Sequence, residues 1–370
     1  MSRGPRKPTI IEGAAAAGVA RTTASDALNG RGRVNAATRE RVNRAATRLG
    51  YRANINARTL RSGQPHIIAL MLPPMEAIGE HSQALGIDFN RQLTSGITAS
   101  AFAHGYAVVL IPPLDRPEQM LDTPFDGAIV NDPLARDERV ALLDSRDIPV
   151  VTIERDFARP ADPWYVATSG EQNARVALDH LAARGAKRIA LIAPDATWAW
   201  AVDTTEAYQR WCSARRRTQL VVKVPVTRLE ASAYEACRDL LRHPLRPDAI
   251  LAGADRYALG AARAAAELSL RIPDDLLIAA AVDSHDNVEF RPSITAIDLH
   301  PRRQGALAAS MLTARLRGQE TDAPSIVPGD LIVRNSTHES SGSPRPGYFV
   351  EAGNGNRIAS KRSERLQTDY

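Results

Sequence analysis

From His66 onward the chain alternates short β-branched runs with amphipathic stretches of helical length, and this alternation restricts the available folds more than any other feature. The strand candidates are 66–72, 106–111, 127–130, 148–153, 187–193, 219–226, 248–252 and 275–282. Helical patterns lie between them, near 89–104, 137–146, 171–184, 203–217, 231–243 and 255–268. Parallel strands can be joined only by a crossover, so strict strand–helix alternation builds parallel sheets covered by helices on both faces. So many strands fit two doubly wound subdomains better than one sheet. A chain of 370 residues also exceeds a single core of ordinary size. With 44% hydrophobic but only 5% aromatic residues, the interior must be largely aliphatic.

The residues before Pro65 read differently. Thr9 to Leu49 is helical in pattern, interrupted at Gly18 and at Asn29-Gly30-Arg31-Gly32. Thr9 is placed to cap a first helix whose Ala14 and Ala17 face inward, Gly18 allows a left-handed turn, and Val19, Ala24 and Leu28 bind a second helix to its neighbours. Asn35 caps a third helix, in which Val42, Ala45, Ala46 and Leu49 repeat at helical spacing up to Gly50. Small residues at the crossings and a glycine in the turn are what a helix-turn-helix requires, although a plain three-helix bundle shares them. Charge separates the two readings. Residues 1–63 hold thirteen Arg/Lys against three Asp/Glu, and the rest of the chain holds 34 against 39. A cationic module at one end of an otherwise acidic protein is suited to a polyanion, and the alternative is a solvated basic tail.

Several classes are excluded. The two cysteines, Cys212 and Cys237, are too few for a disulfide framework or a metal centre, so no metal and no cofactor is expected. No apolar run approaches the roughly 18 residues of a spanning helix. The opening MSRGPRKPTIIEG lacks the apolar core of a secretion signal, which makes a cytoplasmic protein the expectation. No Gly-x-Ser-x-Gly elbow, zinc-binding helix or phosphate loop suggests an enzyme.

The segment from Lys7 to Gly63 resembles the head of the lactose/galactose repressor (LacI/GalR) family. The matching elements are Thr9-Ile10, Ala17-Gly18-Val19, Thr23, Ser25, Leu28-Asn29-Gly30, Val34, Thr38-Arg39, Leu49-Gly50-Tyr51, Asn54 and Ala57-Arg58-x-Leu60. Residues 65–340 resemble the same family's periplasmic-binding-protein-like core, in patches such as Asp126-Gly127, Ile148-Pro149-Val150, Lys187-Arg188-Ile189, Ile272-Pro273-Asp274-Asp275 and Val282-Asp283. The resemblance implies an all-α helix-turn-helix head over residues 1–52 and a hinge helix with linker over 53–64. It implies an α/β core of two doubly wound subdomains over 65–340, the first about 65–164 and 299–326, the second about 167–297 and 328–340. Crossing segments near 161–168, 297–300 and 326–330 would join the two. Residues 341–370, rich in Gly, Ser and Arg, read as a disordered tail with no assigned role.

By the same resemblance Arg21 and Thr22 open the recognition helix and face base edges, and Arg21 suits a bidentate contact with guanine. Thr9, Thr23, Ser25, Asn29 and Tyr51 belong to the DNA-facing set, and Ser25, Asn29 and Tyr51 suit phosphate or sugar contacts. Arg39, Arg41, Arg44 and Arg48 either add phosphate contacts or face water. Asn54, Ala57 and Leu60 would form a hinge that folds on the operator, Leu60 wedging between base steps; a flexible linker is the alternative. Two departures stand out. Ala20 replaces a capping Ser, and Asp26 replaces a base-reading Arg, so an altered operator is expected.

In doubly wound sheets ligands bind beyond the carboxyl ends of the strands, where this chain carries Asn131-Asp132, Glu154-Arg155, Asp195 to Trp200, Asp255 and Asp283. The effector candidates are Asp255, Asp283, Trp198, Trp200, Ser169, Thr204 and Arg155. Asp255 either touches ligand or caps a helix, and the tryptophans either stack on a ring or pack in the core. Ser169-Gly170 stand where relatives carry Asp-Asn, and a sugar-clamping Arg falls near Thr204, which weakens the case for an ordinary sugar: the effector expected is sugar-like or a related, different or smaller metabolite, unless the pocket is vestigial. The resulting expectation is a homodimeric repressor of a near-palindromic double-stranded DNA operator, tuned by a small molecule, with dimers able to pair into tetramers and no membrane partner. A transport solute-binding protein of the same core fold is the alternative.

Overall fold

The computed structural model describes residues 8–28, 32–50, 65–73, 88–114 and 116–338. Asn29, Tyr51, the hinge expected at 53–64 with Asn54, Ala57 and Leu60, and the tail at 341–370 lie outside them.

The head is three helices, α1 (Ile10–Ala16), α2 (Arg21–Leu28) and α3 (Ala36–Leu49). They meet over Ala14, Ala17, Ala24, Ala27, Val42 and Ala45, a core small enough for the helices to approach closely. Gly18 turns the chain from α1 to α2 at φ +62°, a conformation costly for any residue with a Cβ. Asn35 caps α3 by accepting from the Thr38 N–H at 2.7 Å, and Gly50 ends it in the left-handed region. Arg41 Nε donates to the Ala17 carbonyl at 3.0 Å and ties α3 to the end of α1.

Beyond the head the strands form two six-stranded sheets. The first runs β1 (Ile67–Met71), α4 (Asp88–Ala103), β2 (Ala107–Ile111), β3 (Gly127–Asn131), α5 (Glu138–Ser145), β4 (Val150–Ile153) and β5 (Tyr165–Thr168). The second runs α6 (Gly170–Ala183), β6 (Ile189–Pro194), α7 (Ala199–Ala214), β7 (Val221–Val224), α8 (Leu229–Arg242), β8 (Ala249–Ala252), α9 (Asp255–Glu267), β9 (Leu277–Ala280), α10 (His285–Glu289) and β10 (Thr295–Asp298). The chain then returns to the first unit with α11 (Pro301–Leu316) and β11 (Ser325–Val327), and ends in the second with β12 (Asp330–Ile332). The spatial orders β11-β5-β4-β3-β1-β2 and β12-β10-β9-β8-β6-β7 repeat one winding, parallel throughout except for β12 against β10.

Strand alternation builds a core on each face. Ile68, Leu70, Ile129 and Ile153 face α4 and α11, and Ala69, Met71, Ala128 and Val130 face α5 and Met120. In the second sheet Ile250 and Ile278 face α8 and α9, and Leu191 and Leu251 face α6 and α7.

The chain crosses between sheets after Thr168, after Asp298 and at Pro328-Gly329. The first sheet thus keeps the chain four residues past the expected bound at 164, because Tyr165 pairs with Thr152 and β5 also carries β11. His300 fastens two crossings together, its Nε2 lying 2.9 Å from Asp330 Oδ2.

The sequence patterns above do not include α11. Its buried positions, Pro301, Gln304, Gly305, Ala308, Ala309, Leu312 and Thr313, follow a helical stripe, but most are small or polar and give little hydrophobic contrast. Small residues are what the site demands: a Cβ on Gly305 would strike the Leu93 carbonyl of α4, and one on Gly96 the Arg302 carbonyl of α11. Gly305→Ala should therefore destabilise the protein by about 1–3 kcal/mol through overpacking, read as a lowered midpoint in urea with unchanged slope.

Candidate functional site

The head offers the first surface. At its entrance Thr9 forms a capping box: its N–H donates to Glu12 Oε2 at 2.7 Å, and the Glu12 N–H donates to Thr9 Oγ1 at 3.3 Å. The Thr9 hydroxyl is thereby committed to the helix start. Ala20 accepts the first bond of α2 through its carbonyl, from the Ala24 N–H at 2.9 Å, and has no side-chain oxygen with which to cap. Arg21 and Thr22 stand exposed in the first turn of α2, while Thr23, Ser25 and Asp26 are half-buried. The Asp26 carboxylate leans toward Gly32, where an added Cβ would lie 3.1 Å from Oδ2. Asp26 thus packs on the connection to α3, a placement the sequence did not reveal.

The second surface is a cavity of about 130 Å³ lined by residues from both sheets, close to the ~150 Å³ of an apolar cavity that admits benzene. It lies where the carboxyl ends of the strands face one another. Asp132 follows β3, Glu154 follows β4, Thr168 ends β5, Pro194 ends β6, and Gly253 to Asp255 join β8 to α9. Four of the seven expected effector residues line it: Trp198, Trp200, Thr204 and Asp255.

The other three do not. Asp283 is held by Arg334 through two bonds of 2.8 and 2.6 Å, so its carboxylate serves the end of the second sheet. Arg155 grips Asp203 through bonds of 2.6 and 2.5 Å, joining the end of β4 to α7 across the cleft. Ser169 occupies the residue before α6, and its neighbour Gly170 lines the cavity instead; a Cβ on Gly170 would press on Asp203 at 2.9 Å. Trp198 and Trp200 stack on each other at 5.9 Å and both line the cavity. Asp255 accepts from the Arg256 N–H and the Ser284 hydroxyl at the start of α9, and it also lines the cavity.

Asp132 and Glu154 are the residues that the sequence reading placed at strand ends but did not select. Both adopt positive φ, +47° and +68°, a strained choice for residues with side chains, costing of order 1–3 kcal/mol each. Glu154 accepts from the Thr168 N–H at 3.0 Å and from its hydroxyl at 3.2 Å. Burial pushes its carboxyl up to about 8, and the nearby charges of Asp132 and Asp203 add to the rise. Burial also pushes Asp132 up to about 7, opposed by Arg139, Asn131 and the indole N–H of Trp200. That Trp200 bond spans the cleft, as does the His285 N–H donating to Asp88 Oδ2 at 3.2 Å. Among the described residues no group of His, Cys, Asp and Glu could hold a metal ion, and no helix is long and apolar enough to cross a membrane.

A helix-turn-helix joined to two facing doubly wound units is the architecture of a ligand-responsive transcription regulator, and the comparisons agree. Residues 9–54 match the family described as bacterial regulatory proteins, lacI family, and residues 178–337 match a periplasmic binding protein-like domain. The chain is 27% identical to the HTH-type transcriptional regulator CelR of Thermobifida fusca, over 90% of this chain and 98% of that one. It is 25% identical to the lactose operon repressor of Escherichia coli (strain K12), over 91% and 93%. Among solved structures a CelR–cellobiose complex aligns with a TM-score of 0.67 at 27% identity, covering 89% of this chain and 99% of that one. The lac repressor dimer bound to operator and the anti-inducer ONPF shares the fold, with a TM-score of 0.72 at 24% identity, covering 90% and 99%. The chain thus carries a head that matches the lacI family and a periplasmic binding protein-like domain, and the curated relatives it matches are regulators of that family. Those relatives are transcription regulators.

The raised Glu154 carboxyl has a consequence for stability. Between its ordinary value of 4.5 and about 8 the folded state holds a proton that the unfolded chain has released, so this contribution is complete below 4.5 and is lost as pH rises through about 8. Calorimetric unfolding temperatures should therefore fall less steeply for Glu154→Gln than for the parent chain between about pH 5 and about pH 8.5. Parallel curves would show that Glu154 is ionised in the fold.

Proposed function

We propose that the chain is a cytoplasmic homodimeric repressor whose hold on a near-palindromic operator is set by a small molecule seated in the cleft between the two sheets. The observation that carries this reading is the pairing of an exposed Arg21-Thr22 at the start of α2 with a cavity lined by residues of both units. An arginine at the start of a recognition helix can approach guanine from the major groove with two parallel bonds. Two-fold pairing would place two such helices on matching half-sites.

The cleft supplies the control. Asp88 with His285, Arg155 with Asp203 and Asp132 with Trp200 each join one unit to the other, and a ligand among these groups favours one arrangement of the units over another. The hinge, with Asn54, Ala57 and Leu60, then passes that arrangement to the heads. Coupling of roughly 1–3 kcal/mol changes operator affinity about 5- to 150-fold. The domain bounds read from sequence belong to this proposal, with the first unit extended to Thr168.

Fluorescence anisotropy with duplexes from the chain's own upstream region tests the reading. The protein should hold one duplex over its scrambled counterpart, and the preference should weaken with salt. Arg21→Ala should cost about 1–3 kcal/mol on that duplex and narrow its lead over the scrambled one. Equal, weak retention of both duplexes at moderate salt would end the proposal. Ala20→Ser should stabilise the head by about 0.5–2 kcal/mol by restoring a cap to α2, seen as a raised unfolding midpoint.

A further inference from the structure

From the chemistry of the cavity lining we infer that the effector is a compact organic cation: a protonated amine that also carries an oxygen function, bound between the carboxylates of Asp132, Glu154 and Asp255 and the indoles of Trp198 and Trp200. This inference deepens the preceding proposal and rests on its assignment of the cleft as the control site.

The first observation is the sign of the lining. Among the described residues every charged side chain on the cavity wall is acidic, and none is Lys or Arg. The two arginines that come near are already committed. Arg139 spends Nε and one terminal nitrogen on Asp137 and the other terminal nitrogen on the Leu72 carbonyl. Arg155 is clamped to Asp203. An anionic ligand would meet three carboxyl groups and no counter-charge, whereas an ammonium supplies the missing charge. Burial pushes Asp132 up to about 7 and Glu154 up to about 8, so near neutral pH Glu154 is largely and Asp132 partly protonated, and an ammonium would take the place of those protons.

The second observation is independent of charge. Three residues of the wall, each more than nine-tenths buried, carry a polar atom without a hydrogen-bond partner: Trp198 Nε1, Asn173 Nδ2 and the Tyr257 hydroxyl. All three can donate, and a buried donor left unmatched is costly, so the wall calls for a ligand that brings an acceptor oxygen. The third is the aromatic pair. Indole faces attract cations through their quadrupole, most strongly where water is excluded. Strained backbone at both Asp132 and Glu154 is consistent with side chains kept for what they bind.

The test uses the full-length protein and two matched trios that differ only in one terminal group. One is tyramine, tyrosol and 4-hydroxyphenylacetate; the other is 4-aminobutanol, 1,4-butanediol and 4-hydroxybutanoate. Titrations are followed by tryptophan fluorescence and calorimetry. In at least one trio the ammonium compound should bind about tenfold or more tighter than its alcohol, with the carboxylate weakest. Glu154→Gln and Asp132→Asn, each checked for native circular dichroism, should erase most of that preference. The inference is overturned if no ammonium compound outbinds its alcohol, or if a folded variant keeps the full preference. Operator binding is measured on the same preparation. Selective DNA retention without ammonium preference removes only this inference, and loss of selective retention removes the repressor reading beneath it.

Discussion

Parallel strands all finish on one side of their sheet, and in this chain two sheets are set so that those sides face each other. Whatever follows a strand is therefore delivered into the space between the units. Asp132, Glu154, Thr168, Pro194 and Gly253 arrive there for that reason, from positions spread over more than a hundred residues of sequence. The same geometry places all three crossings at the cleft, so any change in how the units meet is felt by the chain that connects them. Burial then sets the chemistry. A carboxyl removed from water keeps its proton unless a cation stands beside it, and that is the situation of Glu154.

The two units are not held apart by neutral surfaces. Arg155 with Asp203, Trp200 with Asp132 and the His285 N–H with Asp88 form direct polar bonds from one unit to the other. The bonds of Arg155 with Asp203 and of Trp200 with Asp132 are partly or wholly withdrawn from water, so each loses more on breaking than a surface pair would. Gly170 belongs to the same arrangement, because only a residue without a side chain leaves room for Asp203 to reach Arg155.

Much of the fold could be read before any coordinates. Ala249 to Ala252 is buried on both faces and appears as an unbroken apolar run, and α4, α6 and α9 fall within a residue of the expected spans. The head was legible through Gly18, Asn35 and Gly50, whose roles depend only on local backbone geometry. What escaped depends on distant partners. The α11 stripe is small and polar because α4 lies against its backbone, and a stripe of that kind carries no hydrophobic signal. The site was half legible. Asp255 and the tryptophans were found at strand ends, but nothing local says that Asp283 will be taken by Arg334 or Arg155 by Asp203. Asp132 and Glu154 were visible as strand-end acids, yet their importance depends on a depth of burial that arises only when the second unit covers them.

Asn173 shows how ligand and framework share one side chain. Its carbonyl oxygen accepts the Gly329 N–H at 3.0 Å, at the two-residue step where the chain passes from β11 to β12, and its amide nitrogen stands unmatched in the cavity wall. An amide is planar, so its oxygen cannot stay on the glycine if its nitrogen turns to follow a guest. Whatever occupies the cavity thus tugs, through one rigid group, on the seam where the final strands of both sheets are stitched together.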